Sequence, residues 1–274
     1  MPSLNTSTEV GTESSAGRPP AEVVIKQRPA TPEHHYGILS RLRSYFFYDP
    51  LIWCYTLLMG LTSIPASFFG NRERILHNFA RGWSWLIMKT IFSPVKVTGL
   101  DKIDTSKPLV YAVNHASALD IPVLYVNLPF HFRILFKSEL LAYPIIGWHL
   151  KRSGQVCINQ QNPSASVGQI KSALRSLKSS MPLVIFPEGG RTPDGEIKPF
   201  LPGALFLAIR AKVDIVPVAL IGTFELLPMN TYHIKSRPLE MRVGEPISTI
   251  GYGAHDTEAL SQKVKEAVEK LYNG

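Results

Sequence analysis

N-H-A-S-A-L-D, at residues 114–120, follows an apolar run at residues 109–113 and leads into a second apolar run at residues 121–128. The first run is typical of a buried strand, so the polar stretch lies where a strand passes to a helix. In α/β proteins the chemistry is commonly found at such a junction. This stretch therefore predicts an α/β fold with a candidate site at the end of a strand.

His115 and Asp120 are the two side chains of this stretch that can carry chemistry, and they are five residues apart. On a regular helix that spacing separates them by about 140°, since each residue turns by roughly 100°. They meet only if His115 lies in the turn before the helix and Asp120 in its first turn. The carboxylate then accepts from one ring nitrogen and leaves the other as a base near neutral pH. The alternative is an ordinary surface pair or a helix cap.

A second motif, F-P-E-G-G-R-T at residues 186–192, follows another apolar run at residues 183–186. Two glycines beside Arg191 allow backbone N–H groups to approach an anion while the guanidinium clamps it. The alternative is a glycine-rich turn with a solvated arginine. That reading accounts for the glycines but not for the proline and glutamate before them.

Together the two motifs resemble the glycerolipid acyltransferase family, and most closely the 1-acyl-glycerol-3-phosphate acyltransferases, which make phosphatidic acid. The glutamate of F-P-E-G-G-R lies 73 residues after the histidine, and the resemblance covers residues 95–221. It implies that His115 is the general base and Asp120 its partner. It also implies that Glu188, Gly189 and Arg191, helped by Lys137 after a third strand-like run, hold the acceptor phosphate. We expect backbone N–H groups to stabilise the oxyanion.

Two positions depart from the family pattern. Asn159-Gln160 stands where many members carry an aspartate-arginine pair, and Gly190 stands where threonine or serine is commoner. The first departure removes a cation, so the identity of the acceptor is left open. Another lysophospholipid or an amine lipid is therefore an alternative acceptor, and a catalytically silent lipid-binding homologue is an alternative outside enzymes. A metal-dependent lipid hydrolase would need more ligands than one histidine and one nearby acid.

The charge balance calls for an anionic partner, since the formal net charge is +8 and the pI is about 9.4. We find no nucleic-acid motif, and an anionic membrane surface fits the apolar segments better. The only cysteines, Cys54 and Cys157, lie in apolar surroundings. This predicts no disulfide and no metal site.

We expect a disordered tail at residues 1–35, which is rich in Ser, Thr, Pro, Glu and Gly. A membrane-associated helical segment follows at residues 36–94. Its residues 51–69 carry no charge, and 19 residues can nominally span a bilayer. Pro65 should break or kink this helix, leaving 14 unbroken residues, a length more typical of an interfacial or re-entrant segment.

A second helix in this segment carries Phe79, Trp83, Leu86 and Ile87 along one line, with tryptophan at membrane-interface depth. We therefore predict a membrane-embedded helical pair that dips into one leaflet. The alternatives are two ordinary core helices of a soluble domain, or a single span.

From residue 95 to residue 274 short apolar runs alternate with helical patterns, which predicts one α/β domain with a single mixed sheet. The predicted strands cover residues 95–97, 109–114, 132–136, 155–158, 183–186, 215–220 and 241–243, and the predicted helices cover residues 119–128, 164–180, 203–211 and 256–272. Pro217 matches a further block of the family pattern, or is an edge or bulge proline.

The expected reaction moves a fatty acyl group from an acyl thioester, on coenzyme A or acyl carrier protein, to the free hydroxyl of 1-acyl-glycerol-3-phosphate. The thioester is a co-substrate, and no other cofactor is expected. The expected partners are the lysophospholipid, membrane lipids and, for a carrier-protein donor, acyl carrier protein. We expect the protein at a membrane, with its active site at the cytoplasmic membrane surface.

Overall fold

The computed structural model describes residues 37–159 and 163–274, and the predicted tail at residues 1–35 lies outside them. The strands are β1 (Val95–Thr98), β2 (Val110–Val113), β3 (Arg133–Lys137), β4 (Val156–Ile158), β5 (Leu183–Ile185), β6 (Ile215–Ile221) and β7 (Leu239–Val243). They form one sheet in the order β1-β7-β6-β2-β5-β3-β4. Only β6 and β7 pair antiparallel among these neighbours. The predicted α/β fold with a single mixed sheet is confirmed.

The helices are α1 (Ile38–Arg43), α2 (Asp49–Ala66), α3 (Arg72–Thr90), α4 (Asp120–Asn127), α5 (Pro144–Arg152), α6 (Pro163–Lys178), α7 (Pro202–Ala211), α8 (Thr223–Leu226) and α9 (Thr257–Asn273). A π-helix at Ser44–Tyr48 joins α1 to α2, and short 3₁₀ turns lie at Leu100–Lys102 and Ser138–Ala142. The helices cover both faces of the sheet.

Strand β2 shows how the sheet is buried. Its side chains alternate between the two faces, as in any strand. Tyr111 and Val113 join an apolar cluster with α3 and α4, whereas Val110 and Ala112 join another with α6, α7 and α9. All four residues are buried, so β2 is a central strand covered on both sides.

The order of the strands brings the two sequence motifs together. Strands β2, β5 and β3 are consecutive and parallel, so their carboxyl ends lie at the same edge of the sheet. Asn114 follows β2, Phe186 follows β5, and Lys137 is the last residue of β3. Ligands of open α/β sheets bind outside the carboxyl ends of the strands.

Helix α3 packs into the same core as the sheet. Leu76 and Ile87 are buried on its inner face. Arg81 donates to the backbone oxygens of Tyr125 (3.0 Å), Leu128 and Phe130 (3.3 Å), which satisfies carbonyls at the C-terminal end of α4. This basic side chain therefore ties α3 to the helix that begins at Asp120.

The apolar line of α3 is used largely for packing. Trp83, which we expected at a membrane interface, is half-buried, and its indole N–H donates to Thr56 Oγ1 of α2 at 3.0 Å. The tryptophan that α3 exposes is Trp85.

Helix α2 differs from α3 because it leaves apolar side chains in the open. Trp53, Leu57 and Leu61 are 59, 48 and 54 % exposed, and of the α2 residues only Ser63 is buried. Pro65 lies in the last turn, and α2 ends one residue later. Across residues 37–159 and 163–274, none of the helices combines the length and the apolar character needed to cross a membrane.

Acid is expected to destabilise the fold through His77, which is only 3 % exposed. Burial, with smaller contributions from the nearby charges of His131 and Arg81, lowers the pKa of His77 to about 3. The unfolded chain, with a histidine pKa near 6.5, binds the proton more readily, so this stabilisation is present above pH 6.5 and is lost as the pH falls. The free energy of unfolding is expected to fall by about 2 kcal/mol between pH 7 and pH 5.

Urea unfolding of the wild type and His77→Phe at both pH values measures this effect. The His77 ring lies 4.2 Å from that of His131 and 5.1 Å from those of Tyr125 and Phe132, so phenylalanine keeps an aromatic ring among aromatic neighbours and removes the titrating group. On acidification, the free energy of unfolding of His77→Phe should fall by about 2 kcal/mol less than that of the wild type. Equal losses would show that other groups carry the acid sensitivity.

Candidate active site

His115 and Asp120 meet at the end of β2. His115 lies in the turn, and Asp120 is the first residue of α4. His115 Nδ1 and Asp120 Oδ2 are 2.7 Å apart, and the same oxygen accepts the N–H groups of Ala116 (2.8 Å) and Ser117 (2.9 Å). Asp120 is fully buried and the His115 side chain is 17 % exposed. With Nδ1–H donated to the carboxylate, Nε2 carries the lone pair and can act as a general base.

The surrounding turn is fixed to neighbouring elements. The Asn114 amide donates to Leu220 O (3.0 Å) and accepts from Leu220 N (2.7 Å) in β6. Ser117 Oγ donates to Leu227 O at 2.9 Å. The His115 ring also stacks on that of Phe186, with 4.0 Å between centroids. The imidazole is therefore held by a carboxylate on one side and by an aromatic face on another.

Glu188 holds backbone groups of the site. Its Oε1 accepts from His115 N at 2.7 Å and its Oε2 accepts from Lys198 N at 3.0 Å. The residue is buried. Burial raises the pKa of the Glu188 carboxyl above its ordinary value, while the two N–H donors and the Lys198 charge oppose that rise. Both oxygens thus accept from the protein, whereas the family resemblance implied that Glu188 helps to hold the acceptor phosphate.

Glu188→Gln is expected to lower kcat by about 10- to 100-fold with every acceptor, because a charged hydrogen bond to a buried group is worth about 1.5–3 kcal/mol. Glutamine has a single acceptor oxygen, so one of the two N–H groups would face an amide donor. Steady-state kinetics measure the change, with Glu196→Gln as the control at an exposed position of the same loop. A change confined to the KM of phosphate-bearing acceptors would instead indicate direct contact with the phosphate.

The remaining predicted residues lie around the second motif. Gly189 has a φ of 71°, which favours glycine, and its N–H donates to Phe186 O at 3.0 Å. Its role in the structure is therefore to close the turn. Arg191 is half-buried, and Thr192 N donates to His115 O at 2.9 Å, which joins the two motifs. A Cβ placed on Gly190 would lie 3.2 Å from Lys137 Nζ, so the lysine of β3 reaches this turn.

The structure adds Lys198 to the site. Its backbone is held by Glu188, and its Nζ donates to Arg191 O at 3.1 Å. Lys198 follows the motif by several residues, and no spacing rule in the sequence singles it out. Of the two departures from the family pattern, Asn159 follows β4, and Gln160 lies outside the described residues. In the described part of the chain, no group of three or more His, Cys, Asp or Glu could hold a metal ion.

Comparison with known proteins places this site in a family. The sequence model of the family described as Acyltransferase matches residues 94–221. The chain is 32 % identical to the chloroplastic 1-acyl-sn-glycerol-3-phosphate acyltransferase LPAT1 of Arabidopsis thaliana over 72 % of this chain and 56 % of that protein. It is 30 % identical to the 1-acyl-sn-glycerol-3-phosphate acyltransferase of Cocos nucifera over 81 % of this chain and 69 % of that protein.

A solved structure shows the same fold. The crystal structure of the 1-acyl-sn-glycerophosphate (LPA) acyltransferase PlsC from Thermotoga maritima matches with a TM-score of 0.71 and 22 % sequence identity. The match covers 85 % of this chain and 95 % of that one. The chain spans 56 and 60 % of the length of two curated plant relatives, the chloroplastic proteins of Arabidopsis thaliana and Brassica napus. With its paired motifs and these relatives, the chain belongs to the acyltransferase family that includes the 1-acyl-sn-glycerol-3-phosphate acyltransferases.

Proposed function

We propose that the protein transfers a fatty acyl group from an acyl thioester to the free hydroxyl of 1-acyl-glycerol-3-phosphate, which makes phosphatidic acid. The observation that carries the proposal is the His115–Asp120 pair beside a turn reached by Lys137 Nζ. Relatives of this chain are named 1-acyl-sn-glycerol-3-phosphate acyltransferases, after the same reaction. A base for a hydroxyl proton and cations for a phosphate are the two sets of groups that this reaction requires.

His115 Nε2 takes the proton of the acceptor hydroxyl as its oxygen attacks the thioester carbonyl carbon. The C–O bond forms, and the carbonyl oxygen becomes an oxyanion that backbone N–H groups stabilise. The tetrahedral intermediate then collapses, the C–S bond breaks, and the leaving thiolate takes the proton from the imidazolium. Asp120 Oδ2 stabilises the imidazolium through Nδ1–H.

The acceptor phosphate binds beside Gly190, where Lys137 and Arg191 supply positive charge. Glu188 is a positioning residue in this assignment, since both its oxygens accept backbone N–H groups. Coenzyme A and acyl carrier protein both present the acyl chain as a thioester, so either donor satisfies the chemistry at His115.

Thiol release from oleoyl-coenzyme A by the purified protein in detergent tests the reaction. The acceptors are lysophosphatidic acid, glycerol 3-phosphate, lysophosphatidylcholine, an amine lipid and none. The expected result is release that depends on lysophosphatidic acid and forms phosphatidic acid. Release with another lysolipid or an amine lipid would overturn the acceptor, and an absence of release with both coenzyme A and carrier-protein donors would favour a silent lipid-binding homologue.

We also propose that α1, the π-helix and α2 lie in one membrane leaflet, with the active site open to the cytoplasmic surface. Ile38, Leu39 and Phe46 are 79, 84 and 78 % exposed, and α2 adds Trp53 and Leu57. At about 0.8 kcal/mol per buried CH₂, lifting both chains of the product into water would be prohibitive. A site that opens towards the bilayer avoids this cost.

Sedimentation with lipid vesicles measures this association. A triple variant replaces Trp53, Leu57 and Leu61, which lie at helical spacing, with serine. It is expected to bind vesicles at least about 10-fold more weakly, because burying each apolar side chain is worth about 1.5–3 kcal/mol. Ile250→Ser is the control, since Ile250 is 84 % exposed but lies near the C-terminal helix. Unchanged sedimentation of the triple variant would place the membrane contact elsewhere.

A further inference from the structure

Two ammonium groups approach Gly190 from different parts of the chain. A Cβ at this residue would lie 3.2 Å from Lys137 Nζ and 4.0 Å from Lys198 Nζ. Lys137 ends β3, whereas Lys198 lies in the loop before α7. Like charges repel, so a surface that gathers two of them beside one residue is suited to an anion. Arg191, the next residue, adds a third cationic side chain to the same turn.

The position of Lys198 is fixed by the catalytic machinery. Glu188 Oε2 accepts from Lys198 N at 3.0 Å, while Oε1 of the same carboxylate accepts from His115 N at 2.7 Å. Lys198 Nζ donates to Arg191 O at 3.1 Å and keeps two further N–H donors. The side chain is half-buried, which limits the screening of its charge by water.

We propose that Lys198 is a specificity-determining residue, which with Lys137 and Arg191 binds a phosphate monoester dianion and thereby selects lysophosphatidic acid over lysophosphodiesters. The inference deepens the proposed function and rests on it. A phosphate monoester near neutral pH carries close to two negative charges, which match three cations. A lysophosphatidylcholine phosphate carries one negative charge, and its cationic choline would be repelled by the same cluster.

The test compares Lys198→Met with the wild type in acyl-coenzyme A assays with lysophosphatidic acid and lysophosphatidylcholine. We expect the KM for lysophosphatidic acid to rise about 10- to 100-fold, the size expected for a lost charged hydrogen bond, with kcat within about 3-fold. The preference for lysophosphatidic acid over lysophosphatidylcholine in kcat/KM should fall by a similar factor. Lys198→Arg should recover most of the preference, because it keeps the charge.

Lys96→Met is the matched control, since Lys96 is an exposed lysine on β1, at the far edge of the sheet from β3. Thermal unfolding of each variant shows that it is folded. A KM within about 3-fold of the wild type, or an equal fall in kcat with both acceptors, would overturn the role of Lys198. Both outcomes leave the proposed reaction standing. Wild-type protein that fails to use lysophosphatidic acid at all would overturn the reaction itself.

Discussion

His115→Ala is expected to reduce kcat by about 10²- to 10⁴-fold, the usual contribution of a positioned general base. The substitution removes the only group of the His115–Asp120 pair that can take the hydroxyl proton. The backbone N–H of residue 115 remains and can still donate to Glu188, so the turn should keep its shape. Initial rates with saturating lysophosphatidic acid and oleoyl-coenzyme A measure the effect.

His255→Ala serves as the control, because His255 is exposed in the loop before α9. Thermal unfolding and vesicle sedimentation should be unchanged in both variants. Added imidazole is expected to restore part of the rate of His115→Ala alone, since it can occupy the space that the ring vacates. A His115→Ala rate within a few fold of the wild-type rate would remove His115 as the base.

Asp120→Asn is expected to lower kcat by about 10³-fold. At an effective dielectric constant of about 20, two unit charges about 4 Å apart interact by about 4 kcal/mol, and the amide cannot supply this stabilisation to the imidazolium. The exchange is nearly isosteric. In the described structure Asp120 Oδ1 has no hydrogen-bond partner, so the asparagine NH₂ can point there while its oxygen still accepts from Ala116 N and Ser117 N.

Because the turn survives in Asp120→Asn, KM for both substrates should stay within about 3-fold of the wild type. The matched control is Asp101→Asn, which makes the same exchange at an exposed aspartate in the 3₁₀ turn Leu100–Lys102. Stopped-flow or single-turnover rates separate the chemical step from product release. If the chemical step keeps its wild-type rate, the Asp120 charge has no part in stabilising the transition state.

The encounter of His115 with Asp120 could be predicted because it is local. The two residues are five positions apart, so the helical period predicts that they meet only when His115 lies before the helix and Asp120 in its first turn. The strands were also predictable, because buried parallel strands have continuous apolar runs. The end of each run then marks the edge where the side chains gather.

The role of Glu188 could not be predicted from the sequence. Its two partners, His115 N and Lys198 N, come from different loops. Both are backbone groups, which every residue except proline has, so the sequence does not identify them. Lys198 was missed for the same reason. Its approach to Gly190 depends on how the loop before α7 folds back, and a lone lysine has no periodicity to reveal it.

The N-terminal helices show where periodicity is ambiguous. The apolar line with Trp83 predicted contact with lipid, but the same pattern serves packing of α3 against α2. A hydrophobic stripe indicates that a helix face is buried, but it does not distinguish burial against protein from burial in lipid. Helix α5 was not predicted, because Tyr143, Ile146 and Trp148 are exposed around it and give no buried stripe.

The carboxylate of Glu188 has a consequence for the choice of acceptor in the proposed reaction. Its two oxygens join the loop that carries His115 to the loop that carries Lys198. In the proposed reaction, the separation between these loops sets how far the free hydroxyl of a bound acceptor can lie from its phosphate. Under the proposed function, the interval between the base and the phosphate site therefore acts as a ruler, which favours acceptors by the distance from their phosphate to their free hydroxyl.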